Sequence, residues 1–257
     1  MIKIGVLGGS GRMGRLIIQK ILECPEAILS SVGIHLQKLV IPHLSDVVVS
    51  PNLEKVFSHA DIVIDFTKPE ALQSHIEVAV QSQTPMIIGI TGLIDAHHAL
   101  IRKAGEQIPI IYAPNMSLGL ALMSKITEQV AAALDNSFNI EILEFHHRHK
   151  TDAPSGTALA LGHSAAKGRH INLGPHACFD RTHRTIPRPL DEIGFAVLRG
   201  GSVAGDHKVF FSSDEEIFTL SHQALNREVF AKGALKAALW LEEKDRGVYS
   251  MQDVLGL

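Results

Sequence analysis

The chain has 257 residues, of which 46% are hydrophobic and 20% are charged, and it carries a formal net charge of −3. This composition is typical of a soluble globular protein, and without a block of basic residues we expect neither nucleic acid nor a membrane as a partner. The cysteines, Cys24 and Cys178, lie too far apart in sequence to suggest a disulfide framework. With no leader or spanning segment evident, we expect a cytoplasmic enzyme of one large or two modest domains.

A glycine-rich loop follows the first apolar run. Ile2 to Leu7 is β-branched and apolar, as in a parallel strand that is buried on both faces, and Arg15 to Leu22 has helical spacing. The glycines between them let the backbone turn sharply, approach a pyrophosphate and pack the helix on the strand. We therefore expect a dinucleotide to contact Gly8, Gly9, Ser10, Gly11, Arg12, Met13 and Gly14.

Strands and helices alternate as far as residue 116. Strand-like runs occupy 27–34, 60–67, 85–92 and 109–115, with helical segments at 70–81 and 95–106. Such alternation predicts an α/β fold with a Rossmann-like, doubly wound parallel sheet, in which ligands bind beyond the carboxyl ends of the strands. Each residue at those ends could be an ordinary loop residue. The candidates for cofactor contacts there are Phe66, Thr67, Gly89, Thr91, Gly92, Ala113, Pro114, Asn115 and Met116.

The position that selects NADH in this fold carries no acid. The fingerprint expects a carboxylate after the second strand, where it binds the adenosine ribose. The chain has Ile34 and His35 there, with Lys38 close behind. Nothing at these positions repels a 2′-phosphate, and Arg12 and Lys38 could attract it. We expect His35 and Lys38 to contact the cofactor, and NADPH to be used at least as well as NADH.

The pattern changes after a predicted helix at 118–134. Runs at 141–145, 192–199, 202–212 and 216–220 are strand-like, and the turn Arg199–Ser202 is hairpin-like, which suggests a mixed or antiparallel sheet. A helix at 231–241 is expected to return to the first domain. We predict a dinucleotide-binding domain at 1–116, completed by 228–257, and a second, α+β domain at 117–227. Residues 168–191 are typical of a loose polar loop.

The densest group of ionisable side chains lies within residues 144–161, between a half-buried strand and a helix. A helix N-terminus presents free backbone N–H groups, which suit a carboxylate or phosphate. A lysine adds positive charge, and imidazoles exchange protons near neutral pH. The ionisable side chains of the segment are His146, His147, His149 and Lys150, and the candidate site residues are His146, His147, Lys150, Ser155, Gly156 and Thr157.

Plainer explanations stay open for this segment on the residues alone. Ser155 could simply cap the helix, and the histidines could lie on a solvated turn. A structural zinc site would normally bring cysteines, none of which lies nearby, so we expect no metal.

Motifs along essentially the whole chain carry a family resemblance. The most specific is the block HHRHKTDAPSGTA at 146–158, and the others are GGSGRMG at 8–14, DFT at 65–67, APNMS at 113–117, RGG at 199–201, GDH at 205–207 and ALWL at 238–241. Together they resemble the dihydrodipicolinate reductases of the diaminopimelate route to lysine. This resemblance outweighs the plainer explanations.

The resemblance implies an activity and roles for individual residues. It implies reduction of 4-hydroxy-tetrahydrodipicolinate (dihydrodipicolinate), a small dicarboxylate, to tetrahydrodipicolinate with NADPH or NADH and loss of water. His146 would donate the proton with help from Lys150, although the residues alone do not choose between the two. The implied substrate contacts are His147, Lys150, Ser155, Gly156 and Thr157, and Arg227 is an implied cofactor contact. An open sheet in the second domain, together with the resemblance, predicts a homotetramer.

The chain departs from the family pattern at three places. Ile90 replaces a usual threonine, the acid near His35 is missing, and Arg181–Arg184 replaces a more glycine-rich segment. The residues argue against two alternative functions, a nucleotide-sensing regulator without catalysis and a dehydrogenase acting on homoserine. A sensor needs no proton donor, and the histidine-rich block does not suit the homoserine enzyme.

Overall fold

The structure, a computed structural model, describes residues 1–34 and 46–257. The described chain divides into two compact units, which we call the first unit (Met1–Leu118 with Arg227–Leu257) and the second unit (Gly119–Asn226). Among the described residues, no helix has the length and apolar character needed to cross a bilayer.

The described strands, in chain order, are β1 Ile2–Leu7, β2 Ala27–Gly33, β3 Val48–Ser50, β4 Ile62–Asp65, β5 Met86–Ile88, β6 Pro109–Tyr112, β7 Asn139–His146, β8 Ala177–Cys178, β9 Ile193–Arg199, β10 Gly205–Ser212, β11 Ile217–Ala224 and β12 Gly247–Tyr249. The helices are α1 Arg12–Leu22, α2 Leu53–Phe57, α3 Leu72–Ser82, α4 Asp95–Gly105, α5 Leu118–Ala133, α6 Gly156–Gly168, α7 Leu173–His176, α8 Glu228–Leu241 and α9 Met251–Leu255, with a 3₁₀ turn at Pro69–Ala71.

The first unit is built on a parallel sheet with the strand order β12-β6-β5-β4-β1-β2-β3. Its central strands are apolar and buried, as in Ile4, Val6 and Ile64, because helices cover both faces of such a sheet. The order reverses between β1 and β4, where doubly wound sheets bind their ligands. The predicted doubly wound parallel sheet is confirmed.

In the first unit, two short strands, the short helices α2 and α9, and the starts of α1 and α8 differ from the sequence prediction. The edge strands β3 and β12 were not predicted, since runs of 3 residues are too short to show a period. The first helix begins at Arg12 instead of Arg15, so the end of the glycine loop forms the first helical turn.

The second unit contains a mixed sheet in the order β11-β10-β7-β9-β8. Strand β10 is antiparallel to β7 and β11, whereas β7, β8 and β9 run parallel. One face of the sheet packs Ile142, Val209 and Phe211 into a core that includes Leu161 and Ala165 of α6. The mixed sheet expected for this part of the chain is confirmed.

The prediction of a hairpin turn at Arg199–Ser202 is wrong. Strands β9 and β10 lie on opposite sides of β7, so the segment between them crosses the end of β7. Backbone hydrogen bonds fix the crossing, from Gly200 N to His146 O at 3.0 Å and from His147 N to Val203 O at 2.8 Å. The crossing segment therefore supports the histidine-rich segment.

Residues 168–191 are not entirely a loose loop, because α7 and β8 lie within them. Arg181 ties the segment to the sheet through Glu141 at 2.6 Å and Glu192 at 2.7 Å. Arg188 also binds Glu141, at 3.0 Å. The glycine-poor sequence at 181–184 thus supplies ion pairs that a glycine-rich segment would lack.

Candidate active site

The reactive side chains of the second unit lie where β7 ends. Along this strand Ile140 and Ile142 face the core, and the period of two places Glu144 and His146 on the same face. Both side chains are buried, with Glu144 1% exposed. The strand thus places a carboxylate and an imidazole side by side at the edge of the core.

Glu144 is held on both carboxylate oxygens. Arg199 binds it in bidentate fashion at 2.8 Å and 2.8 Å, and Ser155 N donates to Oε1 at 3.0 Å. Burial raises the pKa of this carboxyl, but the hydrogen bonds from Arg199, His146 and Ser155 outweigh burial, and the net pKa lies below its usual value. Glu144 is therefore ionised at neutral pH.

His146 contacts Glu144 through Nδ1, which lies 2.5 Å from Oε2. Burial lowers the pKa of the His146 ring and outweighs the raising effect of Glu144, while Lys150 and Arg199 lower it further. On the other side of the ring, a Cβ added to Gly205 would lie 3.1 Å from Nε2. The second ring nitrogen thus faces a position without a side chain.

The segment from Ser155 begins helix α6 beside this pair. Ser155 Oγ caps the helix by accepting from Ala158 N at 3.1 Å, and it also lies 3.3 Å from His207 Nε2. At Gly156 an added Cβ would meet nothing within 4 Å, so this helix start is open. Burial lowers the pKa of His207 to about 3, which leaves it neutral beside the helix start. Ser155 therefore caps the helix and also contacts two ionisable side chains of the site, Glu144 and His207.

Lys150 and His147 lie on the loop that follows β7. Lys150 Nζ pairs with Asp152 Oδ2 at 2.9 Å, where the Asp152 side chain is 57% exposed. The rings of His147 and His149 lie 6.2 Å apart, and His149 is exposed. Within residues 1–34 and 46–257, no set of His, Cys, Asp and Glu side chains is arranged to hold a metal ion.

In the first unit the glycine loop has the shape that a nucleotide needs. Gly8 adopts φ +74, and a Cβ at Gly14 would lie 2.2 Å from Gly8 O. Helix α1 begins at the cap residue Gly11 without a side chain to satisfy its first N–H groups. This backbone suits a pyrophosphate at the helix start, because the tight turn depends on glycine at 8 and 14 and the first N–H groups of the helix have no side-chain cap.

The segment after β4 lies next to the glycine loop. A Cβ at Gly8 would come 3.1 Å from Thr67 Cγ2, and one at Gly89 would lie 2.3 Å from the Phe66 ring. Asp65 holds the segment in place by accepting from Thr67 N at 2.9 Å and contacting His75 Nδ1 at 2.7 Å. The structure thus brings together Gly8, Phe66, Thr67 and Gly89.

The remaining cofactor candidates lie around the ends of β5, β6 and α8. Thr91 and Gly92 are exposed, and Gly92 has φ +77. Asn115 Oδ1 accepts from Ser117 N at 2.9 Å, and Met116 is buried against Gly233, where a Cβ would lie 1.7 Å from Met116 O. Ala113 is buried, Pro114 is exposed, and burial followed by Arg12 lowers the pKa of Arg227. His35 and Lys38 lie outside the described residues.

Three residues of the second unit's site were not predicted as site residues. Glu144 shares a strand face with His146, a signal available from the alternation in β7. Arg199 comes from β9 and His207 from β10, opposite Glu144 in the strand register. No spacing in the sequence connects β7 with β9 or β10, so Arg199 and His207 could be found only from the order of strands in the sheet.

Comparison with known proteins places both halves of the chain in one family. The family model for the dihydrodipicolinate reductase N-terminus matches residues 2–116, and the model for the C-terminus matches residues 119–255. The two matches together span nearly the whole chain.

Individual relatives agree with the family models. The 4-hydroxy-tetrahydrodipicolinate reductase of Zymomonas mobilis subsp. mobilis is 47% identical over 100% of this chain and 98% of that protein. The enzyme of the same name from Sulfurimonas denitrificans is 44% identical over 99% of each chain.

Among solved structures, dipicolinate-bound dihydrodipicolinate reductase from Paenisporosarcina sp. TG-14 matches with a TM-score of 0.78 and 25% identity over 97% of each chain. A probable dehydrogenase from Thermotoga maritima shares the fold, with a TM-score of 0.62 at 9% identity over 98% of this chain and 92% of that one. On these matches, the chain belongs to the dihydrodipicolinate reductase family.

Proposed function

We propose that this chain reduces 4-hydroxy-tetrahydrodipicolinate to tetrahydrodipicolinate with a reduced nicotinamide cofactor, the activity by which its full-length relatives are named. The observation that carries the proposal is the buried Glu144–His146 pair beside an open helix start at Gly156. A nucleotide sensor would have no use for a buried proton-transfer pair, which argues against the regulatory alternative.

The substrate would be bound through its carboxylates in the second domain, which we place at 117–227. One carboxylate suits the start of α6, where backbone N–H groups at Ser155–Thr157 and the helix dipole attract an anion. Lys150 supplies a full positive charge once it exchanges Asp152 for the substrate, and His147 is a further contact. The bound dipicolinate named for the Paenisporosarcina enzyme is a dicarboxylate of the same kind.

The cofactor would lie in the first domain, at 1–116 with 228–257. When bound, it supplies a hydride to the ring. The chain's own contribution is the glycine loop at 8–14, which would hold the pyrophosphate, and the segments at 66–67, 89–92 and 113–116, which would line the nicotinamide side of the site. We include Arg227, His35 and Lys38 as contacts and expect NADPH to serve at least as well as NADH.

The reduction also requires a proton, and His146 is our proposed donor. Its Nε2 lies beside Gly205, which has no side chain, whereas Lys150 is the assisting cation. Proton donation by a positioned side chain contributes typically about 10²–10⁴-fold to a rate. This range sets the effect expected on removing either residue.

We further propose that the chain works in the cytoplasm as a homotetramer assembled through the second domain. The sheet face opposite the core carries Leu198, Ile217 and Phe210 among polar residues, and Leu198 and Ile217 are exposed. Apolar side chains on an open sheet are commonly buried by association.

The test is a coupled assay in which a dihydrodipicolinate synthase, pyruvate and aspartate semialdehyde generate the substrate and oxidation of NADPH or NADH is followed. We expect oxidation that requires all upstream components, and competitive inhibition by dipicolinate against the substrate. Folded protein that oxidises neither cofactor would rule out the proposed function.

A further inference from the structure

Glu144 has a role that neither the family block nor the proposed proton donor explains. Its carboxylate accepts hydrogen bonds from Arg199, Ser155 N and His146 Nδ1, and it is buried from solvent. Both terminal amino groups of Arg199 are also engaged twice, because the arginine donates to Asp152 O at 2.6 Å and Leu198 O at 2.7 Å besides binding Glu144. Both charges are therefore held in place inside the site, and the Glu144 carboxylate, which is 1% exposed, is not available as a direct substrate ligand.

The contact between Glu144 and His146 determines which ring nitrogen carries hydrogen. An ionised carboxylate is only an acceptor, so a ring nitrogen 2.5 Å from it must be the N–H donor. The hydrogen of neutral His146 thus lies on Nδ1. Nε2 is left as the nitrogen that gains and loses a proton, and it is the nitrogen that faces Gly205.

We propose that Glu144, clamped by Arg199, is the positioning residue of His146: it fixes the Nδ1–H form of the ring, aims Nε2 at the substrate and supplies the negative charge that stabilises the imidazolium. The proposal rests on the function proposed above. The 4-hydroxyl of the substrate would leave as water, which gives a C=C bond conjugated with the imine, and a bound cofactor would supply hydride to one carbon of that C=C bond. In the step concerned, the other carbon takes up the proton: the Nε2–H bond breaks, a C–H bond of the substrate ring forms, and the electron pair of the N–H bond stays on the imidazole. Water then returns a proton to Nε2.

The charges around His146 show why this counter-charge matters. Lys150 and Arg199 both disfavour a second positive charge, and the neighbouring His207 ring, 5.0 Å away between centroids, adds none because burial keeps it neutral. Glu144 is the group that favours the protonated ring. Without it, burial and two cations would act on His146 together, and the imidazolium would form only at lower pH.

This account differs from a purely structural role in its dependence on pH. Loss of an opposite charge at hydrogen-bond distance shifts a pKa by about one to three units. Above the pKa of His146, the imidazolium fraction falls tenfold for each unit. The expected loss of kcat/KM is therefore about 10- to 10³-fold at pH 8, and the loss becomes smaller as pH falls. Simple misfolding or misplacement would lower the rate equally at every pH.

The variant that tests this is Glu144→Gln, which keeps the size of the side chain and removes its charge. We expect the pH at which kcat/KM declines to move down by at least about one unit, with the KM for the cofactor unchanged. Glu144→Asp keeps the charge and should retain the wild-type pH profile at a lower rate. Glu141→Gln is the matched control: Glu141 lies on the same strand and also pairs with an arginine, but on the other face of the sheet.

A second measurement does not require the Glu144→Gln variant to fold. Nitrogen NMR of the ¹⁵N-histidine-labelled wild-type protein should show neutral His146 with hydrogen on Nδ1, the signal being assigned by its loss in His146→Asn. Hydrogen on Nε2 in neutral His146, or a Glu144→Gln enzyme with the wild-type pH profile, would overturn the proposal. If the wild-type protein oxidises no cofactor in the coupled assay, the proposed function fails instead, and the NMR result still decides the positioning role.

Discussion

Replacing Lys150 by alanine should remove activity while leaving the protein folded and able to bind its cofactor. The lysine belongs to the second unit, and the glycine loop that we assign to the cofactor belongs to the first. Loss of a substrate cation and assisting proton donor should lower kcat by about 10²-fold or more, equivalent to about 2.7 kcal/mol of transition-state stabilisation.

The cost to stability should be much smaller than the cost to catalysis. The structural partner of Lys150 is Asp152, at 2.9 Å, and that carboxylate is 57% exposed. Ion pairs exposed in this way contribute about 0–1 kcal/mol. In a protein of this size, such a loss lowers Tm by at most about 4 °C.

The measurement is kcat and KM in the coupled assay, with cofactor affinity from calorimetry and Tm from thermal unfolding. Arg148→Ala is the control, because it removes an exposed positive charge from the same loop, and it should stay within about threefold of the wild-type kcat, less than 1 kcal/mol. Unchanged turnover in Lys150→Ala would refute the assignment. Loss of cofactor binding with normal turnover at saturation would refute it equally.

Three further predictions concern the cofactor site and assembly. Gly14→Ala should raise the KM for the cofactor at least about tenfold, because the added Cβ lies 2.2 Å from Gly8 O and displaces the loop from a bound pyrophosphate. The control Gly174→Ala, where a Cβ meets nothing within 4 Å, should leave this KM unchanged. Equal KM values in both variants would contradict the assignment. NADPH should be used at least as well as NADH when kcat/KM is compared at pH 6 and pH 8, with His35 further favouring NADPH at the lower pH. A tenfold preference for NADH, about 1.4 kcal/mol, at both pH values would show the reasoning from His35 and Lys38 to be wrong. Light scattering at micromolar concentration should give the mass of a tetramer, and a monomer would disprove the assembly.

The first unit was largely predictable because its signals are local. A buried parallel strand is visible as an apolar run. The tight turn after β1 requires glycine at positions 8 and 14, and that glycine pattern is visible in the sequence. The strands that escaped, β3 and β12, have 3 residues each and owe their pairing to neighbouring strands.

The second unit shows where such reasoning ends. The turn Arg199–Ser202 was correctly seen as a break between strands, but a turn signal reports local backbone shape and says nothing of which strands pair. Because the sequence does not reveal the order of strands in the sheet, it could not predict Arg199 as a site residue, whose approach to Glu144 depends on β9 lying beside β7. His146 follows from the family block, and Glu144 could have been found from the alternation along β7, whereas the arginine that binds Glu144 required the fold.

The most direct test of the central claim compares His146→Asn with His149→Asn under saturating cofactor and substrate. Both variants remove one imidazole from the same segment, but His146 is buried against Glu144 and His149 is exposed. We predict that His146→Asn lowers kcat by about 10²-fold or more with cofactor affinity unchanged, and that His149→Asn keeps a kcat close to the wild-type value. A folded His146→Asn enzyme that turns over as fast as the wild type would contradict the account.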